Sequence, residues 1–482
     1  MRRLLFQRYI LSTLLLLTTV TCFVACTKDG GTVSMDDEKP LAVSFDTYLQ
    51  NGQTTRTTYP QGSKTGEMLT DNVLLHKTGF SVFAQYTEGD TYQHTALASG
   101  QKAYNFMWNQ EVTWNGALSD SHVTKWTYSP VKYWPNDNQP ADDQDNDSGN
   151  NPATGSRQHS YVSFFAYAPY VSATELPSTP VPDADNGIVA MTGNDVVAGN
   201  SKLTYRLPES LRPTESIDLL WSMQPNRYKT DGGGYTSGKV EFQFIHALSK
   251  LNILARGVFD HVTPDDTSAP YPSTRDGNTK ILIESVEILS PTFYREAEML
   301  LAPQSGDGTA EHPYATVPVW QNRAKSLTSL NLSGTDISMS LLYSGNPADV
   351  DDAAAALERF DGLPAGVVDA DNVLLAEGNT SRLVMPTAVE EPLQVRVVYY
   401  VITYDERLTL NSPKYFSIVK NDITQSTSTR LKFEPNKIYT LRLLLGLTTV
   451  KFDVSVGDWA VPIMLNPVVR DPDIDTRELV VQ

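Results

Sequence analysis

Short runs in which apolar and polar side chains alternate recur along this chain, and Gly, Pro, Asn and Asp bound them. A strand points successive side chains to opposite faces, so this spacing predicts β-strands that each present an apolar face. The runs are Phe80, Val82, Ala84 and Tyr86; Val162, Phe164 and Ala166; Val240, Phe242 and Phe244; Val395, Val397, Tyr399 and Val401; Leu441, Leu443 and Leu445; and Val450, Phe452, Val454 and Val456. Only 353–360 has a helical pattern, and it is short. We therefore expect an all-β fold.

Two turn-rich segments interrupt the strand pattern. Residues 136–156 include the acidic run 142–147 and predict a surface insertion, while 257–278 carry three prolines and predict a linker. This linker would separate an N-terminal domain, 41–256, from a C-terminal domain, 279–482, each of a size normal for a β-sandwich. With 482 residues, of which 40% are hydrophobic, the chain can bury a core in each.

The N-terminus has the pattern of a targeting segment. Arg2, Arg3 and Arg8 flank an apolar stretch, 9–20, which is too short for a comfortable membrane span. This pattern predicts a signal peptide, 1–25, that is removed on export. No later run of about 18 apolar residues follows, so we expect the mature protein to be anchored to a membrane without spanning it.

Residues 23–26, at the end of the signal, resemble a bacterial lipobox, in which the cysteine sulfur takes a diacylglyceryl group and the new amine is then acylated. This predicts lipid attachment at Cys26, with 26–40 as a polar, acidic tether. An ordinary signal peptide cut at another residue is the alternative. Cys22 is the only other cysteine and leaves with the signal, so no disulfide is expected.

Charge and spacing exclude several function classes. Lys and Arg number 38 against 56 Asp and Glu, so the net charge is −18 and the chain repels nucleic acid phosphates. The seven histidines are scattered, which leaves no metal site among sequence neighbours, and His246 lies among apolar residues as a core or interface histidine would. The run 233–239, GGYTSGK, approaches a phosphate-binding loop, but Val240 stands where Ser or Thr must hold magnesium. We expect no nucleic-acid partner and no cofactor.

The sequence also gives little support for catalysis or calcium binding. Asp143, Asp145 and Asp147 have the spacing of the first EF-hand ligands, but Ser148 and Thr154 occupy the glycine and glutamate positions, which excludes an EF-hand. A low-affinity calcium site of another kind stays open beside a solvated acidic loop. There is no G-x-S-x-G motif, and a catalytic carboxylate pair would leave no sequence trace. We expect neither catalytic nor metal-binding residues, and no enzyme activity.

Several strand segments resemble the fimbrillin-like lipoproteins of type V pili. The most specific are FFAYAP at 164–169 and HALSKL at 246–251. Segments with the same resemblance are 78–84, 133–135, 162–170, 217–220, 240–251, 437–440, 450–453 and 458–459. The likeness runs from about Leu41 to Trp459, while the acidic insertion and the long tail depart from the family pattern. It implies two transthyretin-like β-sandwiches in tandem and a role in a surface filament that functions in cell adhesion.

In that family a trypsin-like protease cuts the exported precursor after an arginine, which removes the first strand and opens a groove. A neighbouring subunit's C-terminal strand then fills the groove by donor-strand exchange, pairing with free backbone groups and filling apolar pockets. By this resemblance Arg56 is the candidate cleavage site, since it follows the candidate first strand, 41–49. The alternative is that Arg56 is a loop arginine and the lipid stays on, as in an anchor or accessory subunit.

The C-terminal tail, 460–482, supplies the candidate donor strand. Its candidate donor residues are Val461, Ile463, Leu465, Leu479 and Val481. The first three alternate strictly, as Val43 and Phe45 do in the candidate first strand. Leaving and incoming strands therefore have comparable apolar spacing.

The leading hypothesis is a structural subunit of a surface pilus, as stalk, tip or anchor. Its partners would be other pilin subunits, the outer membrane through the lipid on Cys26, and a host or bacterial surface ligand. The alternative is a monomeric outer-membrane surface lipoprotein that binds a glycan or a host protein. Trp108, Trp114, Trp126 and Trp134 offer stacking platforms for such a ligand, although aromatic residues in strands usually lie in the core.

Overall fold

A computed structural model describes residues 40–49, 73–87, 92, 102–116, 125–135, 160–172, 186–192, 201–229, 238–257, 279–303, 315–333, 352, 354–355, 358, 373–374, 381–404, 408–409 and 415–459. Its strands are β1 (Ser44–Leu49), β2 (Phe80–Thr87), β3 (Met107–Trp114), β4 (Trp126–Thr127), β5 (Tyr161–Ala168), β6 (Gly187–Met191), β7 (Lys202–Arg206), β8 (Leu220–Arg227), β9 (Lys239–His246), β10 (Ser249–Gly257), β11 (Thr279–Ser290), β12 (Phe293–Leu300), β13 (Val319–Leu327), β14 (Leu330–Ser333), β15 (Val373–Leu374), β16 (Ser381–Val384), β17 (Glu391–Tyr404), β18 (Phe416–Leu431), β19 (Lys437–Leu445) and β20 (Val450–Asp458). A short helix, α1 (Val73–Thr78), precedes β2.

The prediction of an all-β fold is confirmed, because strands dominate the described part of the chain. The six alternating runs found in the sequence all lie in strands, namely β2, β5, β9, β17, β19 and β20. In the segment 353–360, for which the sequence predicts a helix, the described residues 354, 355 and 358 are helical. Period-two spacing was therefore a sound guide to the elements.

The largest sheet has seven strands in the order β1-β9-β8-β5-β2-β3-β4. Neighbouring strands in it are antiparallel, with the exception of β1, which runs parallel to β9. A parallel pair cannot be joined by a tight hairpin, and here the two strands come from distant parts of the sequence. Strand β1, the first described strand along the chain, therefore forms one edge of the sheet beside β9, a strand from a distant part of the sequence.

Three smaller sheets involve the remaining strands. Two have the orders β14-β11-β17-β18 and β13-β12-β7-β6, and the third has the order β15-β10-β19-β20, with β16 also paired to β10. Strand β7 thus pairs with β12, and β10 runs parallel to β19, so strands from before and after the predicted linker share sheets. Residues 258–278 of that linker lie outside the described part, and the division into two tandem sandwich domains stays a prediction.

The central strands of the seven-stranded sheet, β2 and β5, are buried on both faces. On one face Phe80, Phe164 and Phe242 belong to a single apolar cluster. On the other face Phe83 and Phe165 belong to a larger cluster that continues into the smaller sheets. Because both faces are covered, β2 and β5 are buried at nearly every position and do not show a polar side.

Several predicted features lie outside the described residues: the signal peptide, Cys26, Arg56, the acidic run 142–147 and the tail from 460 with its five donor residues. They stay predictions. Within the described residues, no helix has the length and apolar character needed to cross a membrane.

Candidate functional site

Strand β1 lies at the edge of the seven-stranded sheet and faces the apolar cluster with alternate side chains. The described inward side chains are those of Phe45 and Thr47 on β1 and of Val43 just before it, all of which are buried. The residues between them are half-buried. We call the site that holds this strand the first-strand groove; it is formed by β9, by residues 132–134 and by the apolar cluster beneath them.

Phe45 is the central side chain of the groove. Its ring is fully buried and stacks on Phe242 of β9, with ring centroids 5.7 Å apart. The ring centroids of Tyr128, Phe164 and Phe80 lie 5.2, 6.0 and 6.3 Å from it. Aromatic pairs at roughly 4.5–7 Å attract each other beyond the effect of the area they bury. Phe45 therefore joins an aromatic cluster that the body of the protein supplies from β2, β5 and β9.

On one side, β1 pairs with β9 over all of its residues. The ladder begins where Ser44 N donates to Gly238 O at 3.0 Å. Within the described part of the chain, no strand pairs with β1 on its outer side. Asp46 protects this open edge, because its carboxylate accepts the outward N–H of Thr47 at 2.9 Å and removes a donor that could recruit another strand.

The segment just before β1, residues 41–43, pairs with residues 132–134 of the body. Val43 N donates to Lys132 O at 2.9 Å. Trp134 N donates to Leu41 O, also at 2.9 Å. The chain from 41 to 43 is thus inserted between two segments of the body.

Tyr128 fastens the segment further. Its hydroxyl donates to Val43 O at 2.8 Å and accepts the N–H of Lys132 at 3.2 Å. Burial raises the pKa of Tyr128 to about 12, so the hydroxyl keeps its proton, and can donate this hydrogen bond, into strongly alkaline solution.

Gly238 makes room for Leu41, at the start of the segment 41–43. Its φ is +78°, and a Cβ there would come within 2.6 Å of Leu41 Cδ2 and 3.2 Å of Trp134 Nε1. Trp134 Nε1 donates to the carbonyl of Gly238 at 2.9 Å, which fixes the indole in this position. Glycine alone combines the left-handed backbone with space for these two side chains.

Lys239 adds a charged contact between β9 and β1. Its Nζ lies 2.7 Å from Asp46 Oδ2 and 3.1 Å from Glu241 Oε1. Partial burial disfavours the ammonium, yet the hydrogen bonds to Asp46 and Glu241 outweigh this and raise the pKa of Lys239 above its usual value. This is the lysine of the GGYTSGK run, and its partner carboxylate on the neighbouring strand belongs to β1.

The other end of β9 contacts the root of the C-terminal tail. His246, the last residue of β9, stacks on Trp459, and its Nδ1 lies 2.8 Å from Asp218 Oδ2. Trp459 N donates to Asn436 O at 2.9 Å. His246 is therefore a core histidine with a polar partner, as its apolar surroundings in the sequence predicted. The tail begins at the next residue after Trp459.

Sequence reasoning found the first strand but not the residues that hold it. Tyr128, Gly238 and Lys239 were not singled out as partners of β1, because they lie far from it along the chain. One signal was present: a glycine directly before an alternating run indicates a close backbone approach, and Gly238 stands directly before β9.

The tryptophan cluster is used mainly for packing. Trp126 and Trp134 are buried, and Trp114 is partly buried. The ring of Trp114 stacks on His76 with centroids 3.8 Å apart, and Lys125 Nζ lies 5.7 Å from its centroid. Among the residues that the structure describes, no group of three or more His, Cys, Asp or Glu could hold a metal ion.

No protein-family model matches the sequence, and no curated protein matches it. Several solved structures are similar. A fimbrial protein from Bacteroides vulgatus has a TM-score of 0.45 and 16% identity, with 87% of this chain and 99% of that chain covered. A protein provisionally assigned to cell adhesion, from Bacteroides uniformis, has a TM-score of 0.36 and 12% identity, with coverages of 87% and 99%.

The tip fimbrial protein Mfa3 from Porphyromonas gingivalis, truncated at its C-terminus, has a TM-score of 0.25 and 8% identity, with 63% of this chain and 82% of that chain covered. The first and the third of these similar structures are of fimbrial proteins. All three TM-scores are below 0.5, and the fold and the groove described above rest on this chain's own strands and contacts.

Proposed function

We propose that this chain is a structural subunit of a surface fimbrium with a role in cell adhesion, exported as a lipoprotein anchored through Cys26 and assembled by donor-strand exchange. The observation that carries the proposal is the first-strand groove. An N-terminal strand, joined to the sheet by a parallel pairing at its edge, buries its side chains in the core of the body. Such a strand can leave without breaking the order of the strands that remain.

Departure of β1 would uncover two kinds of surface. The first is the row of backbone groups on β9 that β1 now pairs, each net hydrogen bond contributing about 0.5–1.5 kcal/mol. The second is the apolar pocket that Val43 and Phe45 fill, at roughly 1.5–3 kcal/mol for each buried side chain. An incoming strand with alternating apolar side chains recovers both, which supports a joint that dissociates slowly.

The order of features along the chain fits this use. Strand β1 lies between the predicted lipid site, Cys26, and the predicted cleavage site, Arg56. A cut after Arg56 would therefore separate the lipid and β1 together from the body. The tail from 460 would then serve as the strand that one subunit donates to the next.

Protease-triggered assembly tests the proposal. We expect the purified mature chain, 26–482, to form ladders and filaments after mild trypsin treatment, seen by size-exclusion chromatography and electron microscopy. Arg56→Ala should block this, while Arg56→Lys, which trypsin still cuts, should assemble normally. Filaments that form equally well from Arg56→Ala would contradict release of β1 by this cut and would indicate an anchor or tip that keeps its first strand.

The donor and the anchor have separate tests. Deleting 460–482, or changing Ile463→Asp, should leave a folded subunit that no longer polymerises, whereas the control Asn466→Asp, outside the alternating set, should still polymerise. Normal filaments from the deletion variant would exclude donation from this end. For the anchor, Cys26→Ala should abolish labelling by a clickable fatty acid, and label that persists would exclude this lipid site.

A further inference from the structure

Among the described inward side chains of the first strand, Thr47 is the polar one. The residue is 9% exposed, and its Oγ1 is buried with no hydrogen-bond partner among the described residues. In the parallel ladder Thr47 lies opposite Phe242, and Phe242 and Phe244 are fully buried. The hydroxyl therefore lies in apolar surroundings.

A buried hydroxyl without a partner loses its hydrogen bonds to water and gains none in return. Valine has the shape of threonine with a methyl group in place of the hydroxyl, so it would fill the same space without this penalty. Two other inward side chains, Phe45 on β1 and Val43 just before it, are apolar and carry no such defect. The strand is thus well fitted at two positions and poorly fitted at the third.

We infer that Thr47 is a built-in weak point that sets how readily the cleaved first strand leaves its groove in favour of the tail of a second copy of this chain. The exchange part of this inference rests on the proposed function. Val461, Ile463 and Leu465 have the period-two spacing of the inward residues 43, 45 and 47. An aliphatic side chain therefore reaches the Thr47 site whether the incoming strand runs parallel or antiparallel to β9. At the other two sites exchange replaces one apolar side chain by another, whereas at this site it replaces a hydroxyl by hydrocarbon.

The first test is made on the uncleaved mature chain and does not depend on assembly. Thr47→Val should raise the thermal unfolding midpoint by about 1–3 °C. The matched control Thr47→Ser keeps the hydroxyl and loses the methyl group, and it should lower the midpoint. A Thr47→Val midpoint that is unchanged or lower would show that the hydroxyl is satisfied, and it would overturn the inference.

The second test measures release of β1 after the cut at Arg56. A fluorophore on the Cys26 thiol of unlipidated chain reports the cleaved first strand, and a synthetic peptide of residues 460–482 is added to displace it. We expect release from Thr47→Val to be about tenfold slower than from the unchanged chain, equivalent to ~1.4 kcal/mol. Equal release rates would overturn the regulatory role while strand exchange itself stands. If the peptide displaces β1 from neither chain, the proposed function fails, and the unfolding midpoints still decide whether Thr47 is a weak point.

Discussion

The ring of His246 lies flat against the ring of Trp459, with centroids 3.9 Å apart and planes 4° apart. His246 ends β9, the strand that pairs with β1, and Trp459 is the residue directly before the tail. One strand of the body thus contacts both the first strand and the root of the tail. In a filament built by strand exchange, the residues that receive a neighbour and those that hold the donated end would be joined through this strand.

Removing the indole should loosen the tail root. Trp459 is 5% exposed, so Trp459→Ala leaves a large cavity and is expected to lower the free energy of unfolding by about 3–5 kcal/mol. Trp459→Phe, which keeps a ring for His246, should cost less. Urea denaturation of the mature chain measures both, and a loss below about 1 kcal/mol for the alanine variant would show that the stack contributes little.

The sequence predicted the elements of this fold well, for a local reason. Alternation is imposed by the strand itself, so Val43 and Phe45 could be assigned to one face without knowledge of what covers them. The same applied to β2 and β9, whose apolar faces are both part of the groove. His246 was recognised as a core residue from its apolar neighbours alone.

The pairing of these elements could not be predicted in the same way. Ser44 hydrogen-bonds to Gly238 across 194 positions of sequence, and nothing in either segment specifies the other. The parallel direction of β1, the contact of Lys239 with Asp46 and the stack on Trp459 all follow from long-range pairing. Sheets shared across the linker 257–278 are another consequence, because β7 finds its partner in β12.

Truncation of Phe45 should release the first strand without any protease. Phe45→Ala removes the ring that contacts four aromatic neighbours and is expected to cost about 3–5 kcal/mol. Hydrogen exchange of the β9 amides should then quicken, since β1 covers one side of β9. The control Ser44→Ala, on the half-buried face of the same strand, loses only the long hydroxyl contact to Gly238 O at 3.4 Å and should change exchange much less. Unchanged protection of β9 in Phe45→Ala would contradict the central role of this ring.

A methyl group at position 238 should have a similar but smaller effect. Gly238→Ala combines a positive φ, at about 1–2 kcal/mol for a residue with a Cβ, with contacts shorter than 3.0 Å to Leu41. We expect a lower unfolding midpoint and faster hydrogen exchange at residues 41–43. Gly457→Ala is the matched control, because a Cβ there meets nothing within 4 Å. Equal midpoints for the two variants would show that residues 41–43 shift to accept the methyl group without loss of stability.

The charge pair of Lys239 with Asp46 should weaken its hold on β1 as the pH becomes strongly alkaline. The pKa of Lys239 is raised above its ordinary 10.5, so its contribution to stability is fully present below pH 10.5 and is lost as the pH rises through the higher folded value. Asp46 and Glu241 are about half exposed, which limits the effect to roughly 0.2–1 kcal/mol and makes it weaker in high salt. Lys239→Arg isolates it, because a guanidinium stays charged throughout this range while tyrosines and other lysines titrate alike in both chains. The stability of Lys239→Arg relative to the unchanged chain, measured by urea denaturation, should therefore rise between pH 9 and 12. A difference that stays constant across this window would show that the ammonium of Lys239 does not help to hold the first strand.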